Sequence, residues 1–429
     1  MQKFKLLPIT VAVAASLASL SSFAAETDLA ALEQRIQELE SQVGDIKYTD
    51  DQQQAVLTSE TNVPDGIVFS GYARYGAHYK SGDERYVDIG TTGRSVGRLG
   101  NEANGGEVQL AKLFEADNGA IWDIVFMADH WEADAWADDG GLSMKKMYAG
   151  VTNVFESQPE LYMWAGRDFH QRPQQGLNDY FWMTHDGQGA GFNNLDFGGA
   201  KLDMGFVGQV KGGLVNDNGR YAVTAKLHSI NAGIGNLDLY ANYGFASDEA
   251  DSDVAGDPKV SDETAYLVGA TLGLGESNKL VVKYGDGADS SVYDLKGDYQ
   301  TLYASVEGSY AASEQFIIDY LVSYKDNSGS DLDRENTEYA GIVRPQYQWD
   351  DVHSTWLEAG YGMVDYDDDG EENAWKVTLS QNVSLGGLPW SRPMLRFYTT
   401  VGDVETKGNT VKTTNVDTLS FGAMFEAWW

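Results

Sequence analysis

Residues 421–429, FGAMFEAWW, decide the fold class of this chain. Counting back in twos from the C-terminus gives only apolar residues, whereas the opposite set is mixed and includes Glu426. A β-strand places alternate side chains on opposite faces. We therefore predict a strand with one apolar face and an aromatic end, as in a transmembrane β-barrel. The alternative is the last strand of a secreted sandwich.

Residues 1–25 indicate an exported protein. They begin with Lys3 and Lys5, continue with an apolar run and end with the small-x-small sequence Ser22-Phe23-Ala24. This pattern is typical of a secretory signal peptide, which is removed from the mature chain. No later apolar stretch approaches the roughly 20 residues that a membrane-spanning helix needs. A mature chain that crosses a membrane must therefore do so as a closed barrel.

The composition narrows the possible partners. With 65 acidic and 30 basic residues the net charge is −35, which argues against nucleic acid, because nucleic-acid binding needs a basic surface. The chain has no cysteine, so we expect no disulfide. Nothing in the sequence calls for a cofactor or a catalytic metal. The six histidines are scattered and no G-x-S-x-G motif occurs, which argues against a hydrolase.

Residues 26–47 are predicted to form a periplasmic coiled-coil segment. Leu29, Ile36 and Val43 take heptad position a, and the d positions are also aliphatic (Leu32, Leu39 and Ile46). This pattern favours a coiled coil and leans toward a dimer. The alternative is an amphipathic helix packed on its own chain. Residues 48–65 are polar and end in Pro64-Asp65-Gly66, so we predict a flexible linker.

From residue 66 to 429 the chain repeats one pattern, a strand of period two followed by a polar turn. Leu237 and Leu239, for example, alternate with Asp238 and Tyr240. Charged residues recur at the positions that alternate with the apolar ones, on the opposite face of each strand. This pattern predicts a water-filled lumen. The density of strands predicts an all-β barrel of about 16 to 18 strands. The acidic stretch 365–370 matches half of a calcium loop, but Lys376 replaces the required Glu, so we predict a hairpin loop.

These residues resemble the maltoporin-type carbohydrate porins of Gram-negative outer membranes. The resemblance covers about 66–429 and rests on the order of several short strings rather than on any one of them. The strings are Gly71-Tyr72-Ala73-Arg74, Arg98-Leu99-Gly100-Asn101-Glu102, Trp131-Glu132-Ala133, Trp164-Ala165-Gly166, Gln171-Arg172, Gly189-Ala190-Gly191 and Trp390-Ser391-Arg392-Pro393. The N-terminal heptads are similar to the extension of sucrose-porin and β-glucoside-porin members.

The resemblance implies a homotrimer of barrels of about 18 strands, embedded in outer-membrane lipid and lipopolysaccharide. It also implies an oligosaccharide path with a row of aromatic residues: Tyr72, Trp131 from the adjacent subunit, Tyr266, Trp390 and Trp428. Flanking polar and constriction residues would be Arg74, Arg98, Lys145, Arg172, Asp179 and Phe181. The N-terminal helix would be free to contact a periplasmic sugar-binding protein or the cell wall.

Several departures from the family pattern bear on specificity. Gly105-Gly106-Glu107 stands where the family carries a second aromatic of the row. Lys145 replaces an arginine and loses bidentate geometry, and Phe181 replaces a tyrosine. We therefore expect a sugar-selective channel for short sugars, with a general non-selective diffusion porin as the alternative. A structural tether through the coiled coil is compatible with either function.

Overall fold

The computed structural model describes residues 47–49, 54–56, 66–132, 141–210, 217–247, 250, 260–275, 277–408 and 414–429. Within them the structure is all-β. The strands are β1 Lys47–Thr49, β2 Gln54–Val56, β3 Ile67–Lys80, β4 Asn104–Glu115, β5 Ile121–Glu132, β6 Ser143–Thr152, β7 Tyr162–Asp168, β8 Gln174–Gln175, β9 Tyr180–Phe181, β10 Gly187–Asp196, β11 Lys201–Val210, β12 Asp217–Asn231, β13 Asn236–Ala246, β14 Thr264–Leu274, β15 Asn278–Asp286, β16 Gln300–Ala311, β17 Phe316–Ser328, β18 Asn336–Gln348, β19 His353–Tyr366, β20 Glu371–Ser384, β21 Met394–Lys407 and β22 Thr414–Trp428.

Eighteen of these strands, β3–β7 and β10–β22, close into one antiparallel barrel. The last strand, β22, pairs with the first, β3, and β7 pairs with β10 across the insertion between them. Closure leaves no open sheet edge, as a membrane requires. The predicted all-β barrel of about 18 strands is therefore confirmed.

The alternation of side chains explains why the barrel can face lipid outside and water inside. In β22, Phe421 is 52% exposed on the outer face, whereas its neighbour Ser420 is 0% exposed and points inward. Glu426 also points inward and is buried. The same alternation recurs around the barrel, so the outer surface is the apolar band that lipid needs.

The two ends of the barrel differ in the length of their connections. One end carries short turns such as 312–315 and 349–352, and both ends of the barrel domain, Ile67 and Trp429, lie there. The opposite end carries the long connections. Since outer-membrane barrels keep short turns in the periplasm and long loops outside, the short-turn end is assigned to the periplasm.

Three long connections fold into the lumen instead of extending outward. We call them loop A (81–103), loop B (169–186, which contains β8 and β9) and loop C (287–299). Trp182 and Met183 of loop B and Val292 of loop C belong to a buried apolar cluster that also includes wall residues such as Leu267. The expectation of a water-filled lumen is therefore wrong for this part of the barrel, because the loops bring their own apolar side chains.

Loop A is fixed to the wall strands β19 and β20 by buried polar contacts. The backbone N–H of Leu99 donates to Oε1 of Glu358 at 2.9 Å, and Lys376 Nζ donates to the backbone oxygen of Leu99 at 2.7 Å. Both charged side chains are fully buried and pair with each other at 3.1 Å. A buried charge needs such a partner. Loop A also contacts loop B, since Arg98 N–H donates to the backbone oxygen of Leu177 at 2.8 Å.

Loop C is anchored by a shared carboxylate. Asp289 lies 3.3 Å from Nζ of Lys283 and 2.9 Å from Nζ of Lys325, and both lysines are buried in the wall. Thr184 of loop B donates its backbone N–H to Ser290 of loop C at 2.9 Å. The three loops thus form one connected constriction.

The acidic stretch, the linker and the N-terminal segments were also predicted from the sequence. Residues 367–370 join β19 to β20 as a hairpin, which confirms the interpretation of the acidic stretch. Strands β1 and β2 pair with each other in the region predicted to be a linker, and β1 begins at Lys47, the last residue of the predicted coiled-coil segment. The predicted signal peptide and heptads 29–46 lie outside the described residues. In the described part of the chain no helix has the length and apolar character to cross a membrane.

Candidate functional site

A cavity of about 1520 Å³ lies in the lumen beside the inward loops. Ten of the eleven residues predicted to line a solute path lie on it. These are Tyr72, Trp131, Trp390, Trp428, Arg74, Arg98, Lys145, Arg172, Asp179 and Phe181. The sequence placed these residues on different strands and loops, and closure of the barrel brings them to one passage.

Two of the aromatic residues form a stack on the wall. Tyr72 on β3 and Trp131 on β5 have ring centroids 6.0 Å apart and nearly parallel planes at 25°. This corrects the expectation that Trp131 reaches an adjacent subunit. Strand β5 continues to Glu132, so its alternation fixes the Trp131 ring in the lumen of its own barrel.

Two more of the predicted aromatic residues, Trp390 and Trp428, lie toward the short-turn end. Trp390 belongs to the turn 385–393 and Trp428 ends β22. The guanidinium of Arg392 lies 4.3 Å from the Trp428 ring centroid, which is cation–π distance. Because Trp428 is the cross-strand partner of Tyr72, the predicted aromatic residues extend from the Tyr72–Trp131 stack toward the short-turn end.

Tyr266 does not line the cavity, and its predicted role is wrong. On β14 its neighbours Ala265 and Leu267 are buried and point inward, whereas Tyr266 is 45% exposed on the outer face. Its hydroxyl donates to Asp286 at 3.2 Å on that surface. The strand alternation places it on the side opposite the lumen.

The predicted charged residues form ion pairs around the constriction. Arg74 Nη2 lies 2.7 Å from Oδ2 of Asp179 in loop B. Arg98 in loop A lies 3.3 Å from Oε1 of Glu426 and 3.9 Å from Asp179. These contacts join the wall to both loops. They present several hydrogen-bond donors to the passage while keeping the charges compensated.

The charges of the loop residues in this cluster resist titration. Burial alone would raise the pKa of Asp179, but Arg74 and Arg98 outweigh it and hold that pKa below its ordinary value. Burial would lower the pKa of Arg98, but Glu426 and Tyr72 outweigh it and raise that pKa. Both groups therefore stay charged at physiological pH.

Lys145, Arg172 and Phe181 form a second group on the cavity. Lys145 Nζ lies 3.5 Å from Asp129, and the guanidinium of Arg172 lies 3.3 Å from Asp186. The same guanidinium lies 4.2 Å from the Phe181 ring centroid. Phe181, predicted as a constriction residue, thus holds an arginine at the wall of the passage.

Glu426 and Trp356 lie on the cavity and were missed as site residues. Glu426 accepts hydrogen bonds from the Tyr72 hydroxyl at 2.7 Å and from Arg392 Nε at 3.0 Å. The sequence feature that could have identified Glu426 was a charge on the lumen face of the last strand. Trp356 on β19 is buried within 6.0 Å of three guanidinium groups, those of Arg344, Arg392 and Arg396. Trp356 lies on the same face of β19 as Ser354 and Glu358. The polar residues at these alternate positions could have identified Trp356 as a lumen residue.

The charges on the cavity balance. Among the described lining residues seven are basic and seven acidic: Arg74, Arg98, Lys145, Arg172, Lys279, Arg344 and Arg392 against Glu107, Asp129, Asp179, Asp238, Glu307, Asp319 and Glu426. The lining is thus neutral in a chain of net charge −35. In the described residues no three His, Cys, Asp or Glu side chains are grouped as a metal site.

Several solved structures are similar to this chain. Solved structures with a similar fold include OccD3 (OpdP) of Pseudomonas aeruginosa, which is 11% identical, with 91% of this chain and 97% of that chain covered and a TM-score of 0.49. An anion-selective porin from Comamonas acidovorans is 13% identical, with coverage of 85% and 99% and a TM-score of 0.44. At this level of similarity neither bears on which solute this chain carries.

A sequence profile described as LamB porin matches residues 67–429, which is the whole described barrel. The match covers the eighteen strands, the three inward loops and the lined cavity. An apolar outer face and a polar passage are the properties of a channel in the outer membrane. The chain therefore belongs to the LamB porin family and is a porin of the Gram-negative outer membrane rather than an enzyme.

Proposed function

We propose that this porin is a sugar-selective channel that gives passive facilitated diffusion of oligosaccharides of maltodextrin, sucrose or β-glucoside type. The observation that carries the proposal is the combination, on one cavity, of four lumen aromatic residues (Tyr72, Trp131, Trp390 and Trp428) with paired charges. No chemical step and no cofactor is part of this function.

The chemistry of a pyranose fits both parts of the lining. Its C–H face is apolar and packs on an aromatic ring, while its hydroxyls accept and donate hydrogen bonds. Lys145, Arg172 and Asp179, whose side chains are partly exposed on the cavity, offer charged partners for those hydroxyls, and such hydrogen bonds are stronger than neutral ones. Successive sites of moderate strength allow a solute to bind and still leave.

The neutral balance of the lining supports an uncharged solute. A channel selective for anions or cations would carry an excess of one charge along its passage. Here the basic residues are compensated by carboxylates, for example Lys279 by Glu307 at 2.8 Å. The lining therefore offers hydrogen bonds without a strong preference for one sign of ion.

The experiment is single-channel conductance in a planar bilayer, titrated with sucrose, cellobiose and a long maltodextrin. We expect saturable block by at least one sugar, weakened about three- to tenfold in Trp390→Ala and in Trp428→Ala by loss of ring stacking. Tyr266→Ala removes an aromatic from the outer face and should leave the block unchanged. Open channels that no sugar blocks would leave the alternative, a general non-selective diffusion porin.

We further propose that three barrels assemble into a homotrimer and that the N-terminal segment serves assembly or capture of a periplasmic partner. The family resemblance and the heptads in 26–47 support these proposals. A particle mass of one chain in mild detergent would contradict the trimer. Deletion of residues 26–62 should leave conductance intact, and loss of all channels would contradict the assigned role of the segment.

A further inference from the structure

Gly105 lies directly under the Trp131 ring. The two residues are cross-strand partners on β4 and β5. A Cβ added at Gly105 would overlap Cε3 and Cδ2 of the Trp131 indole, well inside van der Waals contact. Its φ is outside the left-handed region, so backbone freedom does not explain the glycine. The Trp131 ring and the backbone oxygen of His130 together occupy the space that a side chain at Gly105 would need.

The ring is held from its other sides as well. Tyr72 stacks on it at 6.0 Å, and the guanidinium of Arg74 lies 5.1 Å from its centroid. Arg74 in turn is tied to Asp179 of loop B and donates from Nε to the backbone oxygen of Ala103 at 3.0 Å. Trp131 therefore stands at the constriction, between the wall and the charged cluster.

We propose that Gly105 is a positioning residue that seats Trp131 in the passage, where the indole supplies the aromatic contact that β4 itself lacks. The sequence has Gly105-Gly106-Glu107 where an aromatic was expected. In the structure that place is occupied by the Trp131 ring, which comes from the neighbouring strand β5. The expected effect on sugar binding rests on the proposed sugar-selective function. The position of the Trp131 ring over Gly105 does not depend on that function.

The test is a double-mutant cycle of Gly105→Ala and Trp131→Ala, read by ionic conductance and by sugar block. Gly105→Ala should push the ring toward the pore axis and lower the conductance, and Trp131→Ala should raise it. Each change should weaken sugar block about three- to tenfold, the effect of losing one stacked ring. In the Trp131→Ala background Gly105→Ala should have little further effect on either readout, because the two changes act on one contact.

Gly106→Ala is the matched control for backbone crowding. An added Cβ at Gly106 would approach the backbone oxygen of Tyr72 at 2.8 Å, much as one at Gly105 would approach that of His130 at 2.6 Å, but it meets no aromatic ring. The proposal is overturned if Gly105→Ala behaves like Gly106→Ala, or if its effects are the same with and without Trp131.

Two further outcomes of the experiment are distinct from those that overturn the role of Gly105. If no sugar blocks the unmodified channel, the proposed function fails, and the conductance cycle alone still decides whether Gly105 seats the ring. If Gly105→Ala does not insert, Trp131→Cys provides the second test, since the chain has no other thiol. Modification of that thiol with a bulky charged reagent should lower conductance, and unchanged conductance would overturn the proposal.

Discussion

At the scale of single residues, Glu426 connects several elements of the lumen although it was not predicted as a site residue. It is 1% exposed and pairs with Arg98, Arg392 and Arg396 at 2.5–3.3 Å. It also accepts the Tyr72 hydroxyl at 2.7 Å. One carboxylate on the last strand thus positions an aromatic of the path and compensates guanidinium groups from a loop, a turn and a strand.

We expect Glu426→Gln to make the channel prefer anions and to destabilise the barrel. The change removes the partner of three arginines, and breaking a buried ion pair from one side costs about 3–5 kcal/mol. The reversal potential in a salt gradient reports the selectivity, and the urea midpoint in lipid vesicles reports the stability. Glu307→Gln is the control, because its pair with Lys279 is more exposed and such pairs contribute about 1 kcal/mol or less. Equal losses in the two variants would contradict the role of Glu426.

At the scale of elements, the docking of loop B depends on a neutral histidine. His185 is fully buried, and its Nε2 accepts the backbone N–H of Val292 in loop C at 3.2 Å. Burial, together with His170 and Lys283, lowers the pKa of His185 to about 3. Protonation would remove the acceptor and place a charge in the apolar contact between the two loops.

The expected consequence is a loss of loop docking in acid. The released loop has an ordinary histidine pKa of about 6.5, so docking is fully stabilised above that pH. The stabilisation falls as the pH drops from about 6.5 toward about 3, by at most about 1.4 kcal/mol per pH unit. Hydrogen exchange of loop B amides at about pH 7.5 and about pH 5 measures it.

His185→Asn is the matched control for this pH dependence. Burial also raises the pKa of the neighbouring Asp186, so titration of Asp186 changes the stability of loop docking in the direction opposite to that of His185 in the same pH range. The His185→Asn variant keeps Asp186. The difference between the two proteins therefore isolates His185. If both lose protection equally on acidification, the histidine does not control docking.

At the scale of the whole molecule, the outer face of the barrel is adapted to lipid. Val322 lies in the middle of β17 and is 61% exposed on that face. We expect Val322→Arg to lower the unfolding free energy in vesicles by about 2–4 kcal/mol, the cost of an arginine near the bilayer centre. Tyr310→Arg, near the short-turn end of β16, should cost about 1 kcal/mol or less. A similar cost at both positions would contradict the assigned membrane position.

The sequence by itself determined the barrel and most of its lining. Alternation of period two fixes which side chains face lipid and which face the lumen, and it is a local property of each strand. It therefore identified the inward faces of Tyr72 and Trp428 and the polar face that carries Glu426. It could also have excluded Tyr266, which falls on the apolar face of β14 beside Val268.

The tertiary structure decided what the lumen contains and how its groups meet. The inward folding of loops A, B and C depends on contacts between residues far apart in sequence, such as Leu99 with Glu358, and no local pattern encodes them. The seat of Trp131 above Gly105 likewise depends on the register of β4 against β5. Alternation assigns a side chain to a face, whereas closure of the barrel decides which side chains share a passage.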